Sequence, residues 1–245
     1  MARQRLGQHF LKNPAVLERI ARAICPTSQP LVIEIGPGRG ALTAKLLERA
    51  ARVVAIEIDR DLVAYLREKF AGDARLEIVE ADVLRTDLAQ WGPAPIAGNL
   101  PYYITSPILE RTLRLRPPRA VFLLQKEVAL RLVAQPRSRD YGYLTIATAL
   151  FADARLVCDV PPTAFRPPPR VDSAVVEFTP RDPGIVDPGA FLAFAAHCFH
   201  QKRKTIRNNL AGVYGKDVVE SWPEAALRAE QLSLPQLEEM WRRTS

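Results

Sequence analysis

Residues 32–43 read Val-Ile-Glu-Ile-Gly-Pro-Gly-Arg-Gly-Ala-Leu-Thr, "VIEIGPGRGALT". An apolar run from Leu31 to Ile35 stops at Gly36. Glycines recur at 38 and 40, and Leu42, Leu46 and Leu47 then follow at helical spacing. This order of strand, glycine turn and helix opens a nucleotide-binding α/β unit. Glycine lets the backbone turn sharply and approach a ligand with no Cβ in the way, and the helix start supplies oriented amides. About twenty residues on, a second β-branched run, Arg52 to Ile58, brings Glu57 to its end, where a carboxylate can accept both hydroxyls of a ribose. A third run, Leu76 to Val79, leads into Glu80-Ala81-Asp82 and places Asp82 to meet the amine edge of an adenine. A glycine turn alone fits an ordinary tight loop; glycines followed by acids at two successive strand ends describe a nucleotide-shaped pocket.

The alternation continues in both directions. Asn13 can cap a helix whose first turn accepts Pro14 and whose Val16, Leu17, Ile20 and Ile24 share a face. Residues 61–70 read as helix, and residues 95–97, 119–124 and 171–178 as strands. The pattern predicts a parallel, doubly wound Rossmann-like sheet with helices on both faces. After Pro180 the stretch "RDPGIVDPGA" is a Pro/Gly hinge, and the chain beyond it reads as helical. The expected organisation is an α/β domain over residues 1–184 and a small α-helical domain over residues 185–245.

Gly36-x-Gly38-x-x-Ala41 loosely satisfies the dinucleotide fingerprint. Gly36-x-Gly38-x-Gly40, preceded by Glu34, resembles the loop of S-adenosylmethionine methyltransferases, and the loop alone does not separate the two. The fourth strand does. It ends in Asn99-Leu100-Pro101-Tyr102-Tyr103-Ile104-Thr105-Ser106-Pro107, beside the crevice where open α/β sheets bind ligands. Asn-Leu-Pro-Tyr resembles the Asn/Asp-Pro-Pro-Tyr/Phe signature of methyltransferases that act on exocyclic amines. An adenine amine is a poor nucleophile because its lone pair is delocalised into the ring. The Asn99 side-chain oxygen and the Leu100 or Pro101 carbonyl can each accept one amine hydrogen, and Pro101 holds the backbone so that the acceptors converge. Tyr102 can stack on a base splayed out of its helix; Tyr103 is either core or a second wall. With a methyl donor already activated as a sulfonium, catalysis is mainly positioning and electrostatics.

From Gln4 to Trp241 the chain resembles the small-subunit ribosomal RNA adenine N6,N6-dimethyltransferases. The resemblance rests on "RLGQHFL", "EIGPGRG", Glu57, Asp82, "NLPYYITSPI", "FRPPPRVDSAVVEF", "FHQKRKTIRNNL" and "RAEQLSLPQLEEM". It implies that Gln8, His9 and Leu11 close over the cofactor, with His9 where many members carry Asn. It implies that Phe165 is the aromatic of the target-base pocket. It further implies transfer of four methyl groups in total to two adjacent adenosines in a hairpin near the 3′ end of small-subunit rRNA, with an assembling 30S-type subunit as partner.

With 245 residues and 34 Lys and Arg against 27 Asp and Glu, the chain carries a net charge of +7 and a pI near 9.6, which favours a polyanion. Lys202, Arg203, Lys204 and Arg207, beside Asn208 and Asn209, are expected to contact rRNA phosphates. Three widely spaced cysteines with no Cys-x-x-Cys pair indicate a reducing compartment. His197 and His200 lack neighbours that would complete a four-ligand site, so no metal is expected. No run reaches the roughly 18 apolar residues of a membrane helix. A cytoplasmic monomer that binds no membrane is expected.

Overall fold

The structure, a computed structural model, describes residues 9–101 and 104–244. The chain forms two compact units, residues 1–129 with 153–180 and residues 130–152 with 181–245.

The first unit begins with β1 (Phe10–Leu11) and α1 (Pro14–Ile24). Asn13 caps α1, its Oδ1 accepting the amides of Ala15 and Val16 at 3.0 and 3.2 Å, and Val16, Leu17, Ile20, Ala21 and Ile24 face the core. There follow β2 (Val32–Ile35), α2 (Ala41–Leu47), β3 (Val53–Glu57), α3 (Arg60–Lys69), β4 (Leu76–Glu80), β5 (Ile96–Asn99), α4 (Thr105–Arg114), β6 (Ala120–Gln125) and α5 (Lys126–Leu132). After α6 (Tyr143–Phe151) the chain returns as β7 (Ala152–Val160), β8 (Phe165–Arg166) and β9 (Ser173–Pro180). Seven strands form one sheet in the order β4-β3-β2-β5-β6-β9-β7. Strands β2 to β6 pair in parallel, and β2 and β3 are buried at every position, as parallel strands covered on both faces must be.

The sheet is not wholly parallel. β9 pairs antiparallel with β6, Ser173 lying opposite Gln125 and Phe178 opposite Ala120. The chain re-enters beside the end of β6, where the Lys126 amide donates to the Asp172 carbonyl at 2.9 Å. A parallel β9 would have needed a crossover to the far end of the sheet. β7, an edge strand of alternating small, charged and apolar residues, was not legible as a strand, and β1 and β8 are too short to leave a period.

The second unit contains α6, α7 (Pro188–Cys198), α8 (Ile206–Tyr214), α9 (Lys216–Glu220) and α10 (Leu234–Arg242). Phe191, Phe194, Ile206, Leu210, Leu237 and Met240 are buried in it. Residues 130–152, expected within the α/β domain, group here instead. α6 packs on α7 and α10, the Tyr141 hydroxyl donates to the Leu232 carbonyl at 2.7 Å, and the Arg137 amide donates to the Glu230 carbonyl at 2.7 Å. The Pro/Gly hinge near residue 184 marks only the last of three places where the chain passes between units, after 129–130 and 152–153.

Candidate active site

β2 runs beside β3 on one side and β5 on the other. The strand order therefore reverses between β2 and β5, and the crevice lies beyond the carboxyl ends of those two strands. Gly36 follows β2 and Asn99 ends β5. The two strands approach so closely that a Cβ on Gly98 would sit 2.4 Å from the Ile35 carbonyl oxygen. Gly36, Gly38 and Gly40 have φ of +67°, +57° and +72°, the left-handed region that side chains disfavour. A cavity opens at this reversal, lined by Gly36, Gly38, Glu57, Asp82, Asn99, Leu100, Pro101 and His9 together with Phe10, Ile58, Val83, Ile104 and Ile108.

Glu57 is 6% exposed and holds the loops together. Its Oε1 accepts the amides of Ile58 and Asp59 at 2.9 and 3.0 Å, and its Oε2 accepts the Gly38 amide at 3.1 Å. Burial raises its pKa, opposed by those amides. A carboxylate offers about four lone-pair positions, so the three amides leave room for one further donor, fewer than the pair of hydroxyls expected from the sequence. Asp82 accepts the Leu84 amide on Oδ1 at 2.9 Å, and its Oδ2 lies 3.8 Å from the Arg85 guanidinium.

Glu34 lies beneath the glycine loop and is 1% exposed. The Thr43 hydroxyl donates to its Oε2 at 2.6 Å. Burial pushes its pKa up to about 8, with the nearby Glu57 charge adding to the effect.

Asn99 donates from Nδ2 to the His9 carbonyl at 3.1 Å. A carbonyl can only accept, so this contact settles which end of the amide is nitrogen and leaves Oδ1 as the acceptor end. The Leu100 amide donates to Leu123 at 3.2 Å, and the Pro101 carbonyl accepts both the Ile104 amide and the Thr105 hydroxyl at 3.1 Å.

The segment carrying His9 is a strap. β1 pairs antiparallel with β8, Phe10 opposite Arg166 and Leu11 opposite Phe165. The His9 Nδ1 lies 2.9 Å from the Pro167 carbonyl, and the Lys12 amide donates to Ala164 at 2.8 Å. Side chains alternate faces along a strand. Leu11 and Phe165, 7% and 2% exposed, face inward and join Leu17, Val160 and Val175 in the hydrophobic core. This corrects two expectations: Leu11 does not line the cavity, and Phe165 anchors the strap from below instead of presenting its ring to a base. Phe10 takes the position over the cofactor loop, so close that a Cβ on Gly38 would lie 3.1 Å from its ring.

Gln8 and Tyr102 lie outside the described residues. Sequence reading missed Phe10, Ile58 and Val83 as cavity walls. Phe10 stands beside the named His9, and Ile58, a large apolar residue 56% exposed, directly follows Glu57. Lys202, Arg203, Lys204 and Arg207 are all exposed and belong to the second unit. Lys202 donates to the Arg139 carbonyl and lies 3.9 Å from Glu230, and Arg207 is 3.6 Å from Glu220.

A switch-point cavity that joins a glycine loop, strand-end acids and an Asn-Leu-Pro turn on this sheet defines an α/β methyltransferase. The model of the ribosomal RNA adenine dimethylase family matches residues 1–236; the chain belongs to that family and is an rRNA adenine dimethyltransferase. It is 43% identical to a ribosomal RNA small subunit methyltransferase A of Acidobacterium capsulatum, over 97% of this chain and 89% of that one. Among solved structures it resembles a dimethyladenosine transferase from Plasmodium falciparum, with a TM-score of 0.81 and 30% identity over 96% of this chain and 98% of that one. It also resembles the 23S rRNA methyltransferase ErmE, with a TM-score of 0.73 and 30% identity over 95% of this chain and 99% of that one. Family membership implies a methyl donor of the S-adenosylmethionine type and an rRNA substrate. Among the described residues no helix is long and apolar enough to cross a membrane.

Proposed function

We propose that the chain transfers methyl groups from S-adenosylmethionine to the N6 amines of two adjacent adenosines in the hairpin near the 3′ end of small-subunit rRNA. Its partner is the assembling 30S-type subunit, and it works as a cytoplasmic monomer. The observation that carries this reading is the Asn99 amide, turned by the His9 carbonyl so that an acceptor oxygen stands beside the cavity that also holds Gly36, Glu57 and Asp82. The identity to small-subunit enzymes, higher than that to ErmE, supports the choice of subunit.

The residues present fit the cofactor. The loop at Gly36 and Gly38 lines the cavity with main chain that carries no Cβ. Glu57 keeps one acceptor position for a ribose hydroxyl, and Asp82 Oδ2 can accept from an adenine amine. Ile58 and Val83 offer apolar walls to a flat ring. When bound, the cofactor supplies a methyl group activated as a sulfonium. Asn99 Oδ1 accepts one hydrogen of the target amine. The Pro101 carbonyl already has two donors, so the Leu100 carbonyl accepts the second. Two acceptors favour a pyramidal, nucleophilic nitrogen, and preorganised dipoles of this kind are effective because they need no reorientation during reaction. Tyr102 stacks on the base. Lys202, Arg203, Lys204 and Arg207 hold rRNA phosphates.

The test is to incubate the protein with labelled S-adenosylmethionine and, in parallel, unmethylated small and large subunits, then map the modified nucleotides. Dimethylation of the two adjacent adenosines is expected. Labelling of large-subunit rRNA instead would transfer the assignment to the ErmE type of activity.

A further inference from the structure

The outer face of the strap carries a second feature. Phe10 and Arg166 are directly opposed in the β1–β8 pair, so their side chains share one face, and Phe10 on that face borders the cavity. The Arg39 guanidinium lies over the Phe10 ring, 4.8 Å from its centre, and the turn that carries it is tied down by Lys69, whose Nζ donates to the Arg39 carbonyl at 2.7 Å. Arg39 and Arg166 are exposed, as are Lys12 and Arg170 on the same ribbon. Residues 9–13 and 164–170 contain no Asp or Glu. Some exposed arginines of this unit are neutralised, such as Arg52 by Glu77 and Arg75 by Asp73. Among the described residues Arg39 and Arg166 have no such carboxylate.

We propose that Arg39 and Arg166 form a phosphate clamp for the single-stranded RNA flanking the target adenosine. This rests on the function proposed above and adds a substrate contact within the catalytic unit. The chemistry fits: planar guanidinium groups bind phosphate oxygens in pairs, an aromatic face beside them suits a neighbouring base, and phosphate contacts set register without reading sequence. The clamp stands beside Phe10, which borders the cavity, so it holds nucleotides next to the target base.

The experiment uses the full chain and unmethylated small subunits. Arg39→Gln with Arg166→Gln keeps most of both side-chain stems and is compared with Arg39→Lys with Arg166→Lys. Subunit affinity is measured over a salt series, with cofactor affinity by calorimetry and turnover at saturating subunit. The Gln pair is expected to lower the log–log salt slope by about 1.4 units, about 0.7 per phosphate contact on a single strand, and to raise KM roughly tenfold or more. Cofactor affinity and saturated turnover stay the same, and the Lys pair recovers most of the slope. An unchanged slope with normal melting would overturn the clamp, and so would a loss of cofactor affinity, which would assign the arginines to the methyl donor. Failure of the unsubstituted protein to methylate small subunits would instead overturn the function on which the clamp rests.

Discussion

At the scale of single residues, Asn99 and Glu34 act in different ways, one through a hydrogen bond and the other through a proton. Asn99 is fixed at its nitrogen end by His9 and acts through its oxygen. Asn99→Ala is expected to lower methylation on the order of 100–1,000-fold, by analogy with the loss of one preorganised oxyanion donor, while cofactor affinity measured by calorimetry stays near normal. A variant that keeps most of its turnover would remove Asn99 from the amine. Glu34 contributes through its proton. Its folded pKa near 8 stands above the ordinary 4.5. Below pH 4.5 the carboxyl is protonated in both folded and unfolded chains. Between 4.5 and 8 the unfolded chain releases the proton and the folded chain keeps it, so this group's share of stability is complete below 4.5 and is lost as pH rises toward 8. Glu34→Gln should therefore flatten the fall in stability over that window, with a gain at pH 8 on the order of a few kcal/mol relative to its effect at pH 5. Denaturant titrations at the two pH values check it, and parallel pH profiles would mean that Glu34 is ionised in the folded protein.

At the scale of elements, the reversal between β2 and β5 depends on a close backbone approach. Gly98→Ala places a methyl group 2.4 Å from the Ile35 carbonyl oxygen, a main-chain atom of a central strand that cannot turn aside. Overpacking of a tight core typically costs about 1–3 kcal/mol, and thermal unfolding should show a loss of that size or larger. Turnover is expected to fall as well, because Asn99 follows Gly98 directly. A variant as stable as the parent would mean that the strands can separate without cost. The strands themselves were largely legible: the runs read at 31–35, 52–58, 76–79, 95–97 and 119–124 all correspond to parallel strands of the sheet. Their apolar runs and the glycines after the first are local signals. The direction of β9 was not, because alternation along a strand is the same whichever way its neighbour runs.

At the scale of the whole molecule, the net charge is +7, and both the cavity's strap and the basic stretch of the helical unit carry exposed cations. Within that stretch Lys202 and Arg207 have acidic neighbours, while Arg203 and Lys204 stand in the exposed turn before α8. Arg203→Ala with Lys204→Ala should weaken binding to small subunits and lower the log–log salt slope by about two units. The methylated adenosines should stay the same, since phosphate contacts carry no base information. Nucleotide mapping beside a salt series tests both parts, and a change in the adenosines chosen would give the helical unit a share in target selection.

The amino-acid sequence by itself determined the class of fold, the glycine loop, the strand-end acids and the Asn-Leu-Pro turn. Each is written in residues adjacent in the chain, as a period, a positive φ or a proline restraint. Only the tertiary structure decided what these residues face. His9 meets Asn99 across 90 positions of sequence and so orients the acceptor oxygen. The pairing of β1 with β8 turns Phe165 and Leu11 into the core and Phe10 and Arg166 outward. Residues 130–152 join helices α7 and α10, which come much later in the chain. The physical reason is common to all three: a backbone hydrogen-bond donor or an apolar face specifies the kind of partner it needs, and which distant segment supplies that partner is settled when the chain packs.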